Sequence, residues 1–282
     1  MEQYRGRFEE EERFLIIQSE EISDQYDNKP IHMNATNIQE KIDPQGGNSV
    51  AEVIQNNIDA VLHQREKMNI PMIPHVNHPN FGYALEVQDM IALEGEQFFE
   101  VYNGHPMVHN MGDSTRISTE EMWDIINIAY LSAGKPIMYG LATDDAHHYH
   151  IQGKTWSNAG RGWIQVRSDS LNPASIIAAM EHGDFYSSTG VQLKDISFIN
   201  NILKVSVAAE KDVKYTFQFI GTFKDKTSPQ HLSTIQGDHA SFEVSEEMFF
   251  VRCKIISNKM HQNPIEDLIY ETAWTQPVQY KN

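Results

Sequence analysis

Three apolar, strand-like runs of this chain each end in histidine or carboxylate residues, and this feature limits the possible folds most. The runs are IPMIPHVNHPNFG, QFFEVYNGHP and PIMYGLATDDAHHYH, and the region from His75 to His150 holds seven of the 13 histidines. Helical patterns lie between the runs, which is the rhythm of a βα-repeated fold whose strand ends meet on one face. Imidazole nitrogens and carboxylate oxygens gathered at such a face are typical ligands of a hydrolytic metal site.

The composition excludes several other classes of protein. A chain of 282 residues with 40% hydrophobic content is large enough to bury a core. It has no apolar run of the roughly 18 residues that cross a bilayer, and its charged start does not match a signal peptide. We therefore expect a soluble protein without a membrane partner, in an unknown compartment. The net charge of −17 argues against duplex nucleic acid, and the single cysteine, Cys253, excludes a Cys-rich zinc module.

The pattern of hydrophobic residues changes near residue 190. Before it, helical stripes alternate with short apolar runs, which predicts an α/β domain over residues 1–189. After it, segments such as LKDISFI, ILKVSVAA and FFVRCKII alternate with period two. This alternation predicts a small all-β sandwich domain over residues 190–282.

Individual residues at the strand ends are candidate metal ligands. Asp145 and His147 are two residues apart, so in an extended segment their side chains face the same way. His78 lies at the end of its strand, whereas His75 is equally well explained as a core residue or as a partner of a ligand. Glu100 follows two phenylalanines, and a buried glutamate needs a partner. His32 lies inside an apolar strand, where a lone histidine is usually a hydrogen-bonded core residue.

Several short motifs together resemble the PHP (polymerase and histidinol phosphatase) family of metal-dependent phosphoesterases. The resemblance covers most of residues 10–190, and the motifs occur in the order found in the family. Its C-terminal part is GRGWIQVRS through AAMEHGDFYSSTG, as in members with a C-terminal β-sandwich. The other matching pieces are Ser19-Glu20-Glu21-Ile22-Ser23, Pro30-Ile31-His32-Met33, His78-Pro79-Asn80, Glu100-Val101-Tyr102-Asn103 and Thr143-Asp144-Asp145-Ala146-His147.

The resemblance implies a fold and a set of ligands. The fold would be a distorted, incomplete PHP-type βα barrel followed by the β-sandwich. The site would hold divalent ions of the Mn, Zn or Fe type, up to three in the complete family site. Carried over position by position, Glu21 would bridge ions, and the other ligands would be His32, His78, Glu100, Asp145 and His147.

The chain departs from the family pattern at its start. The family's first two strands end in His-x-His and Thr-Asp-His, and neither motif is present here. We therefore expect an N-terminally truncated domain that binds fewer ions than the family norm and has weak activity. An open sheet edge left by missing strands would favour pairing with a second copy in a homodimer.

The favoured function is metal-dependent hydrolysis of a small phosphate mono- or diester by a metal-activated water. Arg161, between two glycines, and His148 are candidate contacts to the phosphate. His105 is a candidate acid for the leaving group. The alternatives are an amidohydrolase-like metalloenzyme, whose ligand chemistry overlaps, and a non-catalytic binding or scaffold protein in which the barrel remnant is inert.

Overall fold

The computed structural model describes residues 2–281 of the protein. Within these residues the chain forms five helices, which are α1 (Glu2–Phe8), α2 (Val50–Met68), α3 (Val87–Ile91), α4 (Thr119–Ser132) and α5 (Pro173–Glu181). The fourteen strands of the same residues are β1 (Ser19–Tyr26), β2 (Lys29–Thr36), β3 (Ile73–Val76), β4 (Phe98–Asn103), β5 (Tyr139–Thr143), β6 (Trp163–Val166), β7 (Phe185–Ser188), β8 (Leu193–Ile199), β9 (Ile202–Val207), β10 (Tyr215–Phe223), β11 (Gln230–Gln236), β12 (His239–Glu243), β13 (Met248–Ile265) and β14 (Leu268–Thr275).

The first sheet carries the strand ends singled out in the sequence. It has five strands in the order β1-β2-β3-β4-β5. The long helix α2 packs on β2 and β3 through apolar residues such as Val53 and Ile58. This helix begins where the Ser49 hydroxyl accepts a hydrogen bond from the backbone N–H of Glu52, and it ends at Asn69 in the left-handed conformation. Both ends of α2 are therefore fixed by the local sequence.

The predicted architecture, an incomplete βα barrel followed by a separate β-sandwich, is wrong. A βα barrel needs successive parallel strands, but β1 pairs with β2, and β2 with β3, in antiparallel fashion. The parallel neighbours are β3 with β4 and β4 with β5. The physical reason lies in the turn after β1, where Asp27 and Asn28 have φ angles of 47° and 64°. A two-residue turn of this kind folds the chain straight back into a hairpin.

The remaining strands form two further sheets that share one core. The larger sheet has six strands in the order β11-β10-β13-β14-β7-β6, and the smaller one has three in the order β12-β9-β8. Side chains such as Leu203 of β9, Phe217 of β10 and Cys253 of β13 are buried together. Strands β6 and β7 precede residue 190, so the six-stranded sheet continues across the domain boundary expected from the sequence.

A buried cluster of charges joins this large sheet to the first part of the chain. The Arg252 guanidinium on β13 donates to both carboxylate oxygens of Asp124 on α4, over 2.6 and 2.7 Å. Its remaining nitrogen, Nη1, lies 3.2 Å from a carboxylate oxygen of Glu120. The guanidinium also lies over the ring of Trp123, 4.9 Å from its centroid. The two parts of the chain are thus held by buried, directional contacts as well as by apolar packing.

None of the helices in residues 2–281 combines the length and the apolar character that crossing a membrane requires. Strand β1 forms one edge of the first sheet. The expected homodimer through an open edge stays a prediction.

We expect the Arg252→Met substitution to lower the free energy of unfolding by about 3–5 kcal/mol, because it leaves the Asp124 carboxylate buried without its partner. Urea denaturation measures this change. The matched control is Arg167→Met, since Arg167 pairs with Asp195 on the surface with both side chains more than half exposed. The control should change the free energy by less than about 1 kcal/mol. Equal losses in the two variants would contradict the assigned role of the buried pair.

Candidate metal site

Three side chains from separate strands or strand ends of the first sheet meet at one point. Glu21 lies on β1, His32 on β2, and His78 two residues after β3. His32 Nδ1 is 3.3 Å from His78 Nε2, and Glu21 Oε1 lies 3.4 Å from the first nitrogen and 3.6 Å from the second. For metal–ligand bonds of about 2.0–2.1 Å, tetrahedral geometry places two ligand atoms roughly 3.3–3.4 Å apart. The three donor atoms are therefore spaced as ligands of one ion would be.

The local sequence places His78 and its neighbours. Pro79 and Asn80 form a turn after β3 in which the Phe81 N–H donates to the carbonyl of His78 over 2.8 Å. Asn80 is buried and its side-chain amide donates to the carbonyls of His109 and Ile117, which fixes the turn to the loop after β4. The HPN motif thus ends β3 and holds the imidazole of His78 towards β1 and β2.

The charges of the cluster shift the ionisation of its members. Hydrogen bonds from His32 and then from His78 hold the pKa of Glu21 well below its usual range. For His78, burial alone would lower the pKa, but the hydrogen bond with Glu21 and the negative charges of Glu100 and Asp145 raise it overall. Glu21 is therefore a carboxylate at neutral pH, as a ligand must be.

Asp145 extends the cluster at the end of β5. Its Oδ2 lies 3.9 Å from His78 Nε2, and its Oδ1 lies 2.9 Å from Nε2 of His147. Asp145 has a φ of 48°, in the left-handed region that residues with a Cβ seldom adopt. Strained backbone of this kind often occurs where a functional side chain is held in place. The side chain of His147 is more than half exposed, on the solvent side of Asp145.

Glu100 lies beneath the cluster instead of within it. The sequence predicted a ligand here, but both carboxylate oxygens are taken up by other groups. Oε2 accepts hydrogen bonds from the backbone N–H of His78 over 2.6 Å and from the Asn103 amide over 2.9 Å. Oε1 accepts from the Thr143 hydroxyl over 3.0 Å and lies 3.4 Å from His75 Nε2. Burial would raise the pKa of Glu100, but the contacts with His75 lower it, so the carboxylate stays ionised.

Two asparagines support the ligands and were missed in the sequence. The Asn77 amide donates to Glu21 Oε1 over 2.8 Å, and its oxygen accepts from the backbone N–H of Asn34. The Asn103 amide lies between Glu100 and Asp145, at 2.9 and 3.4 Å from their oxygens. Both residues lie at the ends of apolar strands, and this position is the sequence signal that could have identified them. Such partners orient ligand side chains.

His105 borders the cluster on the side of the loop after β4. Its ring is 5.9 Å from that of Phe81 and 5.9 Å from that of His147. Burial lowers the pKa of His105, so its imidazole is neutral at pH 7. Gly104 lets this loop approach the end of β5, because an added Cβ would lie 2.6 Å from Cβ of Arg161. The His105 ring thus lies next to Phe81 and His147 at the border of the cluster.

Of the two residues predicted as phosphate contacts, Arg161 is engaged within the protein, whereas His148 uses only its Nδ1 nitrogen. The Arg161 side chain is buried, and its five N–H groups point at oxygens of Gly104, Gly153, Trp156, Asn158 and Asn263. His148 Nδ1 lies 3.1 Å from the Ser157 hydroxyl, and its ring packs 4.7 Å from the Trp156 ring. Arg161 therefore ties the loops together and has no donor left for a substrate.

Comparison with known proteins does not assign the chain. No model of a known protein family matches it, and no curated protein matches it significantly in sequence.

We expect the difference in stability between the metal-free protein and its Glu21→Gln variant to be largest between about pH 4.5 and 6.5. The lowered pKa of Glu21 contributes stability above its ordinary value of 4.5, and this contribution is lost as the pH falls. The raised pKa of His78 contributes below its ordinary value of 6.5, and this is lost as the pH rises through the folded-state pKa. Thermal denaturation in chelator from pH 3 to 9 measures the difference, and a flat profile would contradict the coupling.

Proposed function

We propose that Glu21, His32 and His78 bind a divalent metal ion, with Asp145 as a fourth ligand. The observation that carries this proposal is the spacing of the three donor atoms, 3.3, 3.4 and 3.6 Å apart. Among the described residues, this is the only group of three His, Cys, Asp or Glu side chains whose donor atoms are close enough to share one ion. A structural salt bridge alone would not require two imidazole nitrogens to face the same carboxylate oxygen.

The donor set narrows the choice of ion. Two imidazole nitrogens and two carboxylate oxygens suit Zn²⁺, Mn²⁺ or Fe²⁺, whereas Mg²⁺ and Ca²⁺ prefer oxygen ligands alone. The supporting contacts fit this assignment, since Asn77 donates to Glu21 and Asn103 to Asp145. We propose one ion at these residues, fewer than the complete PHP site holds.

We further propose that the protein is a metal-dependent phosphoesterase. A divalent ion, when bound, acts as a Lewis acid and lowers the pKa of water. The half-buried imidazole of His105, neutral at pH 7, would take up a proton and return it to the leaving group. His147, hydrogen-bonded to Asp145 and open to solvent, is able to pass a proton outward. Phosphate esters are the first substrate class because the motifs around these residues resemble PHP phosphoesterases.

We expect the protein to bind about one equivalent of Zn²⁺ or Mn²⁺, and His78→Ala to weaken this binding by about 100-fold or more. Loss of a residue that merely supports a ligand already costs about 10–100-fold, and His78 is proposed as a direct ligand. Isothermal titration calorimetry and elemental analysis measure affinity and stoichiometry. His239→Ala is the control, because His239 is an exposed histidine paired with Asp238. Unchanged binding in His78→Ala would exclude the proposed site.

We expect Asp145→Asn to lower phosphoesterase turnover by at least about 100-fold while the melting temperature changes little, since Asp145 is partly exposed and contributes little to the core. The assay compares 4-nitrophenyl phosphate, bis(4-nitrophenyl) phosphate and a 4-nitroanilide. Turnover of the anilide alone would favour the amidohydrolase alternative. A protein that binds no metal and turns over none of the three would fit the scaffold alternative.

A further inference from the structure

An aromatic side chain stands beside the candidate metal site and has no part in the proposed chemistry. The ring of Phe81 is half-buried, with its centroid 5.2 Å from that of His78 and 6.4 Å from that of His32. The ring of His105 lies on another side at 5.9 Å. Phe81 therefore forms a flat apolar wall next to the imidazole rings of the candidate ligands.

The loops around this wall expose further large apolar side chains. Met107, on the loop after β4, is 60% exposed, and Tyr149, on the loop after β5, is 67% exposed. The two loops are joined next to the site, because the Gly104 N–H donates to the Thr143 carbonyl over 2.9 Å. Exposed apolar groups that border a polar site are typical of a surface that recognises an apolar ligand.

The charges near the site disfavour a doubly charged substrate. The carboxylates of Glu21 and Asp145 together balance the charge of one divalent ion. Beneath them, Glu100 adds a further buried negative charge. The positive charge of Arg161 and the negative charge of the neighbouring Asp144 offset each other. All N–H groups of Arg161 donate hydrogen bonds within the protein. The second negative charge of a phosphate monoester would thus lack a partner, whereas a diester carries one charge only.

We propose that the substrate of this site is a phosphate diester that carries a flat apolar group packed against Phe81. This inference rests on the proposed function and adds the substrate class to it. Phe81 would be a specificity-determining residue, because its ring lies beside the ligands without being able to coordinate an ion. Packing on the Phe81 ring selects for an ester with an aromatic substituent. The absence of net positive charge at the site selects against the dianion of a phosphate monoester.

Equilibrium binding tests the substrate class without depending on turnover. Isothermal titration calorimetry at pH 7.5 with the Zn²⁺-loaded protein compares diphenyl phosphate, phenyl phosphate and dimethyl phosphate. We expect diphenyl phosphate to bind at least about fivefold more tightly than dimethyl phosphate, from ring packing of ordinary strength. It should also bind more tightly than phenyl phosphate, because the second negative charge of the monoester has no partner at the site. Tighter binding of phenyl phosphate would overturn the charge argument, and equal binding of dimethyl phosphate would overturn the role of the apolar wall.

The Phe81→Leu variant tests the residue itself. It keeps apolar volume but removes the ring, so the preference for diphenyl over dimethyl phosphate should fall about fivefold while Zn²⁺ affinity stays within about twofold. Phe198→Leu makes the same change at a partly buried ring that packs against the core of the C-terminal sheets, and it should leave the preference unchanged. An unchanged preference in Phe81→Leu would overturn the inference but leave the metal site standing. Failure of the parent protein to bind Zn²⁺ would overturn the proposed function and this inference with it.

Discussion

The buried carboxylate of Glu100 is the constraint on which the geometry of the site depends. A charged group taken out of water must be compensated by hydrogen bonds and opposite charge. Here the compensation comes from the backbone of His78, from Asn103 and Thr143, and from the imidazole of His75. These partners belong to the ends of β3, β4 and β5. Satisfying one carboxylate therefore fixes the ends of three strands relative to one another, and the ligand His78 with them.

The C-terminal sheets support the site from outside. Arg161 donates from Nε to the carbonyl of Asn263 on β13 over 2.9 Å, and from Nη1 to the carbonyl of Gly104. One buried guanidinium thus connects the β13–β14 hairpin with the loops that follow β4 and β5. The Arg252–Asp124 pair makes a second connection between the same sheet and α4. Arg161 also donates to the carbonyls of Trp156 and Gly153, so the loop that carries Asp145 is fixed against this hairpin.

The sequence predicted the strand ends better than the way the strands connect. His78 and Asp145 were expected together because each follows an apolar run, and the structure brings them to 3.9 Å. The antiparallel start of the sheet was missed, because the resemblance implied a βα barrel, whereas β1 turns back at Asp27 and Asn28 to pair with β2. Some hydrogen-bond partners are distant in sequence, as Arg161 donates to Asn263, 102 positions later, and to Gly104, 57 positions earlier. Local patterns carry no signal for them.

A crystal structure of the protein soaked in Zn²⁺, with data collected across the zinc absorption edge, tests the central claim most directly. We expect one strong anomalous peak about 2.0–2.2 Å from Glu21 Oε1, His32 Nδ1 and His78 Nε2, with Asp145 as the fourth ligand. The peak should disappear in the His78→Ala variant. Absence of density at these atoms, or zinc bound only at exposed pairs such as Asp238 and His239, would contradict the account.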